Sequence, residues 1–307
     1  MSAQYKTILQ IEGLTKRYGN LTAVDSLDLE VDRGEIFGFL GPNGAGKTTT
    51  IKAMTGLLHP TEGDIRIGDK RLSKDPREAT IDVGYLPENV RLYDNLTGRE
   101  TLKFIADVRN VDVDIDESLE KVNLLEHANR KVGDYSKGMV QRLAFAQSVL
   151  GNPELLILDE PTSGLDPEGT VVVKEMVKEY TKSGGTVFFS SHILPNVQEV
   201  ADRVGIITKG KLIAIDSVEN LRDKLELPTE LEIKISDDAK KVVNALEGSQ
   251  LVKKFHAKGT KVTITCDSED KMKVIHLVED QGVEILDFNA DYGDLEDIFM
   301  RYTGGEE

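Results

Sequence analysis

The chain has a single cysteine, no apolar run near the length of a membrane span, no basic leader and too few basic residues to balance its acids. One cysteine, Cys266, excludes an intrachain disulfide. It also has no Cys or His partner at ligand spacing, so no metal cluster is expected and the thiol is read as packing. A span needs about 18 or more consecutive apolar residues, so a polytopic membrane protein is excluded. The opening MSAQYKTILQIEG lacks a basic stretch followed by an apolar one, so the expectation is a cytoplasmic protein. Lys+Arg number 38 against 54 Asp+Glu, a formal net charge of −16, which repels a phosphodiester backbone and argues against nucleic acid as a partner. No sequence repeat, low-complexity tract or long heptad array is present. What remains, 307 residues at 39% hydrophobic and 30% charged, is ordinary globular composition with room for about two domains. The acidic excess is uneven. From Pro228 onward, 10 basic residues face 18 acidic ones, which suggests domains at 1–227 and 228–307 with the boundary at Leu227-Pro228.

Residues 1–34 alternate apolar and polar in short runs with turn residues at Tyr18-Gly19-Asn20 and Asp32-Arg33-Gly34, the pattern of antiparallel strands. Glu35–Leu40 then reads as a short apolar strand, Gly41–Gly46 as a glycine-rich turn, and Lys47–Leu58 as a helix stopping before His59-Pro60. The runs LLIL, TVFF and VGII, at 155–158, 186–189 and 204–207, suit buried parallel strands. Ahead of them LKFIADV, SLEKVNLLEHA and VQRLAFAQSVL have helical period, forming a helical insert over about 89–150. A helix near 217–226 ends the first domain. The tail reads β-α-β-β-α-β-α, a ferredoxin-like α+β order with an added helix. The fold expected is therefore α/β, a mixed-sheet core with an antiparallel β subdomain and a helical arm, plus a small C-terminal domain.

Gly41-Pro42-Asn43-Gly44-Ala45-Gly46-Lys47-Thr48 fits G-x-x-x-x-G-K-[ST] and sits between strand and helix, the context this phosphate loop requires. Glycines let successive N–H groups converge on phosphate oxygens, the helix adds its positive pole, Lys47 reaches the β- and γ-phosphates, and Thr48 offers a hydroxyl to Mg²⁺; Thr49 follows on the same turn. LLILDE ends an apolar strand in two acids, at the strand end where a parallel sheet binds ligands. Asp159 is placed to hold the metal and Glu160 to activate water. Two acids after four buried aliphatics are costly without a cation nearby. The rival for this pair is a solvated turn before Pro161.

These residues, with others in the same order, resemble the ATP-binding cassette ATPases, the nucleotide-binding subunits of ABC transporters, over about residues 5–220. YSKGMVQR (Tyr135 to Arg142) stands where the family signature LSGGQ-x-Q-R lies. SGLD (Ser163 to Asp166) resembles the D-loop, SSH ending at His192 the switch histidine, and YLPE ending at Glu88 the Q-loop. Tyr18 stands where an aromatic residue stacks on adenine; without the family it is equally a turn aromatic. The resemblance implies ATP and Mg²⁺ as cofactors and catalytic roles for Glu160, His192 and Lys47. It implies a head-to-tail dimer in which Ser136 and Gly138 of one subunit contact the γ-phosphate held by the other, with Asp166 crossing the interface. Ser136 also reads as the N-cap of the helix after it, and Asp166 as a cap before Pro167. A separate polytopic permease is implied as partner, and with it a peripheral place on the cytoplasmic face of the membrane.

Lys137 and Met139 replace the first signature glycine and its glutamine, and Glu88 replaces a glutamine. Lys137 either adds charge near the phosphate or faces solvent; Glu88 either ligates Mg²⁺ or weakens its binding by added charge. YSKGM and YLPE resemble the branch of exporters for drugs, sodium and polysaccharide and of some metal-enzyme maturation systems. GYLPENVRLYDNLTGRETL and SSHILPNVQEV resemble the ATPase of the nitrous-oxide reductase maturation transporter. The ending DLEDIFMRYTG resembles the extra C-terminal domain of the same branch, which holds the dimer or contacts a partner. Val90, Leu92 and Tyr93, after Glu88, are read either as receiving a permease helix or as packing inside the arm. The alternative of a soluble ABC ATPase in translation, DNA repair or chromosome organisation lacks its usual marks here: paired cassettes, zinc-binding cysteines or coiled coils.

Overall fold

The computed structural model describes residues 6–225, 228–291 and 295–303; Leu227, half of the expected boundary, lies outside them. Close contacts divide the chain into two compact units, Met1–Asp216 and Ser217–Glu307.

The first unit opens with a long hairpin, β1 (Thr7–Tyr18) and β2 (Leu21–Asp32), turned at Gly19 with φ 57°. β3 (Ile36–Leu40) leads into α1 (Lys47–Met54). β4 (Glu62–Ile67) returns to pair with β1, and β5 (Lys70–Arg71) extends that edge, giving an antiparallel sheet ordered β2-β1-β4-β5. After α2 (Pro76–Ala79) and β6 (Val83–Leu86), the arm holds α3 (Gly98–Arg109), α4 (Ile115–Glu120) and α5 (Lys137–Val149). The chain then alternates through β7 (Leu155–Asp159), α6 (Pro167–Lys182), β8 (Thr186–Ser191), α7 (Leu194–Gln198), β9 (Arg203–Thr208) and β10 (Lys211–Asp216). The central sheet runs β10-β9-β3-β8-β7-β6, parallel except for β10.

Every residue of β3, β7 and β8 is buried. This is why they read as unbroken apolar runs: both faces of a parallel sheet are covered. Phe188 anchors the layer, its ring 5.7 Å from Phe37 and 5.3 Å from Phe39. The adjoining register sets Asp159 of β7 beside Ser190 of β8, at the sheet's C-terminal rim.

The arm departs from the periodicity of SLEKVNLLEHA. α4 stops at Glu120, Asn123 turns left-handed at φ 54°, and Leu125–His127 is a separate 3₁₀ turn. Arg142, on α5, donates to the carbonyls of Val122 and Asn123 at 2.9 and 3.0 Å. The last carbonyls of α4 itself, on Leu119 and Glu120, accept the N–H groups of Leu124 and Asn123 at 2.8 and 2.9 Å, so with Arg142 serving the turn beyond, ending there costs little.

The second unit begins with α8 (Val218–Lys224), then β11 (Thr229–Ile235), α9 (Lys240–Glu247), β12 (Val252–Lys258), β13 (Lys261–Cys266), α10 (Lys271–Glu279), β14 (Ile285–Asp291) and α11 (Leu295–Thr303). Its sheet order, β12-β13-β11-β14, is that of a ferredoxin-like β-α-β-β-α-β unit. α8, which the sequence reading groups with the first domain, packs on α11 and so belongs by contact to this unit. Cys266 is fully buried in its core, which pushes the thiol pKa up.

Candidate functional site

The fully apolar β3 delivers the chain to the rim, and Gly41–Thr48 turns across it into α1. Two positions demand glycine. A Cβ on Gly41 would lie 2.4 Å from the Ile207 carbonyl oxygen; one on Gly46, at φ 112°, would lie 2.7 Å from that of Ala23. Gly46 is also the N-cap of α1, and no side chain caps it. The first N–H groups and the positive pole of the helix are thus left for an anion.

Pro42, Asn43, Gly44, Gly46, Lys47, Thr48 and Thr49 line a cleft of about 390 Å³, closed by Tyr18, Leu21 and Ala23 from the hairpin and by Glu88 and Glu160. Ala45, in the same loop, is buried beneath it. Tyr18 is about half exposed, with Lys16 Nζ 5.3 Å above its ring.

Two buried acids end β7, Asp159 at 1% and Glu160 at 5% exposure. Ser190 Oγ donates to Asp159 Oδ1 at 2.8 Å and accepts the Glu160 N–H at 3.0 Å. Burial is the main influence on Asp159 and pushes its pKa up; hydrogen bonds from Ser190 and Thr48 oppose it, and the charges of Glu88 and Glu160 reinforce it. Burial, then Asp159 and Glu88, likewise push the Tyr85 phenol up to about 12.

Glu160 has a left-handed backbone, φ 49°. Its Oε2 accepts the His192 backbone N–H at 3.3 Å and lies 2.8 Å from His192 Nδ1. Its Oε1 is 3.2 Å from Lys47 Nζ, an ion pair, yet this buried oxygen accepts no aligned hydrogen bond. Lys47 Nζ spends its donors on the carbonyls of Gly41 and Pro42, at 2.7 and 3.3 Å. Lys47, Glu160 and His192 therefore form one chain of contacts that starts in the cleft and leads out of it, since His192 touches Glu160 but is not among the residues lining the cleft. The arrangement offers a cationic phosphate cradle, a carboxylate oxygen with a vacant lone pair, and an imidazole held through Nδ1 with Nε2 left over.

Ser136, Gly138 and Asp166 do not line this cleft. Ser136 caps α5, accepting the Met139 N–H at 3.2 Å, and the space where Gly138 would carry a Cβ is open to 4 Å. Asp166 caps α6, accepting the Gly169 N–H at 2.7 Å. The capping interpretation of both residues holds. Lys137 is exposed, as its solvent-facing reading has it, with its Nζ lying over Gly164.

Two residues escaped the sequence reading. Gln141, buried, donates to the Pro161 carbonyl at 2.8 Å and ties the signature helix to the loop after Glu160. Ser190, fully buried, fixes both acids through one hydroxyl. Their signals were the QR of YSKGMVQR and the SSH triplet. Ser190→Ala is expected to lower the nucleotide-free chain's stability by about 1–3 kcal/mol in urea unfolding, because it leaves the buried Glu160 N–H without its acceptor and takes one hydrogen bond from Asp159; an unchanged midpoint would remove the bridging role.

Residues 24–163 match the family model described as ABC transporter. The chain is 37% identical to the bacitracin transport ATP-binding protein of Bacillus licheniformis, covering 97% of this chain and 98% of that one. It is 32% identical to the linearmycin resistance ATP-binding protein of Bacillus subtilis, again over 97% and 98%. A solved ATP-binding subunit of an ABC transporter superposes with TM-score 0.66 at 30% identity, over 71% of this chain and 93% of that one.

Proposed function

Since the chain belongs to the ATP-binding subunits of ABC transporters, a family of ATP-hydrolysing proteins, we propose that it drives a separate permease that exports an antibiotic-like compound. The observation that carries the enzymatic part is the Lys47–Glu160–His192 chain of contacts, with one Glu160 oxygen unfilled. Relatives covering 97% of the chain and named for bacitracin transport and linearmycin resistance disfavour the soluble alternative and favour an antibiotic over the copper-maturation resemblance.

On this reading ATP lies with its adenine against Tyr18 and its phosphates over Gly41–Thr49. Lys47 leaves the Gly41 and Pro42 carbonyls for phosphate oxygens. Glu160 Oε1 accepts the proton of the attacking water, while His192, braced through Nδ1, steadies the γ-phosphate with Nε2.

Mg²⁺ fits the donor set. Of the three acids Asp159, Glu160 and Glu88, only Glu160 pairs with Lys47, while burial and then the charges of Glu88 and Glu160 push the Asp159 pKa up. All candidate donors are hard oxygens: the Thr48 hydroxyl, Asp159, and Glu88 directly or through water. Among the described residues no three acids, histidines or cysteines gather as a ready cage. That suits an ion which takes much of its shell from phosphate and water. When bound, Mg²⁺ would neutralise charge on the β- and γ-phosphates.

Ser136 and Gly138 stand on an open helix end, away from this chain's own cleft, which favours a second copy presenting its phosphates to them. The C-terminal unit, 228–307 on the composition boundary, is an accessory domain. No helix among the described residues is long and apolar enough to cross a membrane, so a permease would hold the subunit at the cytoplasmic face. Its docking point is the arm beside Glu88. Tyr93, 65% exposed, meets Phe104 edge-on at 6.3 Å, and Phe104 and Val108 continue an exposed apolar row along α3.

Gentle purification with MgATP should bring down a polytopic permease; recovery of ribosomes or repair proteins would defeat the reading. Leu92→Asp with Tyr93→Asp is expected to leave ATP binding intact and cut coupled transport by about tenfold or more, since charges would be forced into an apolar contact. Wild-type transport by that variant would remove the docking surface.

A further inference from the structure

A second cavity, of about 480 Å³, lies in the first compact unit and shares no lining residue with the nucleotide cleft. The α3–α4 connection and α4 form one wall, the last turns of α5 the floor, and the last turns of α6 the other wall. Its volume falls within the roughly 300–1,000 Å³ usual for small-molecule sites.

The interior is apolar, with Phe145, Ala146 and Leu150 on the floor and Met176 at the base of the α6 wall. The rim is acidic: Asp112, Asp114, Glu117 and Glu179 against one cation, Lys121. Lys121 is already paired with Glu117 at 2.8 Å, and Asp114 is committed to capping α4. Asp112 and Glu179 are different. Both are exposed, they stand on separate walls, and among the described residues neither makes an ion pair or a side-chain hydrogen bond. α5 and α6 also end in this wall, at Val149 and Lys182, which sets the negative poles of two helix dipoles beside it.

An anion is repelled by this rim, and a neutral hydrocarbon gains nothing from it. We infer that the cavity binds an organic cation with an apolar body, its hydrocarbon on Phe145 and Met176 and its charged head between Asp112 and Glu179. Short-range attraction to two carboxylates at the mouth adds to burial of the tail, and each contribution is separable by experiment.

The probe is hexyltrimethylammonium, titrated into the full chain at low ionic strength and followed by NMR, with hexanol and hexyl sulfate as neutral and anionic counterparts. One equivalent of the cation should bind saturably, about tenfold or more tighter than hexanol and with no binding of hexyl sulfate. Asp112→Asn with Glu179→Gln, two exposed isosteric changes that leave the core intact, should weaken the cation about tenfold and leave hexanol unchanged. Filling the nucleotide cleft with ADP should alter neither result. Equal binding of all three probes, indifference to the double variant, loss of binding with ADP, or no saturable binding would each overturn the assignment.

Discussion

Glu160→Gln is expected to reduce ATP turnover by about 10²–10⁴-fold while ATP still binds, with a stable ATP-bound dimer accumulating. The change keeps shape and removes charge. The Glu160 backbone N–H bond to Ser190 survives, and the amide oxygen can still face His192. What disappears is the carboxylate oxygen that accepts no aligned hydrogen bond in the structure and is available to take a proton. The ion pair to Lys47 disappears too, so Lys47 gives up only two carbonyls when phosphate arrives. Triphosphate affinity should therefore be equal to wild type or higher. Phosphate release and size-exclusion chromatography with MgATP check this, and turnover at the wild-type rate would contradict the general-base role.

Lys47→Ala should fail at the opposite step. The ammonium is the cleft's one cation among its lining residues, facing Glu88 and Glu160 there and Asp159 behind them. Without it the triphosphate meets carboxylates with no counter-charge from the protein, and loss of a charged hydrogen-bonding partner costs about 1.5–3 kcal/mol or more, roughly 10–150-fold in affinity. AMP, which lacks the outer phosphates, should bind about as before. Glu160 is also left buried with His192 as its remaining close partner, so the nucleotide-free variant should unfold at lower urea. Calorimetric titration with ATP and AMP separates the effects; equal weakening of both ligands would place Lys47 away from the outer phosphates.

The phosphate loop and the acidic strand end were legible because few residue types survive there. Gly41 and Gly46 touch backbone carbonyls that leave no room for a Cβ, and LLIL, the run before Asp159, is apolar at every step because both sheet faces are covered. Ser190 was illegible for the converse reason. A serine in SSH has many uses, and its bond to Asp159 exists only through the parallel register of β7 and β8, set by residues far apart in sequence. The early end of α4 was hidden likewise, since the guanidinium that donates to the carbonyls of the turn just beyond it comes from α5. The hairpin of β4 and β5 is not legible in a short polar stretch, because its pairing strand, β1, lies far upstream. Lys137 was left between two readings because its long side chain has no preferred neighbour until the turn carrying Gly164 is placed beneath it.

A non-glycine residue at φ 49° costs about 1–3 kcal/mol and persists only where its surroundings enforce the conformation, as they do at Glu160: a fully buried strand precedes it and a buried serine grips its N–H. The carboxylate therefore rides on one of the stiffest parts of the molecule. Its position is a fixed reference against which water and phosphate must be brought, so the motions of a turnover cycle have to arise elsewhere, in the Lys47 side chain, the hairpin bearing Tyr18 and the arm bearing Ser136. Hydrogen exchange should show the amide of Glu160 among the slowest in the chain, with or without nucleotide.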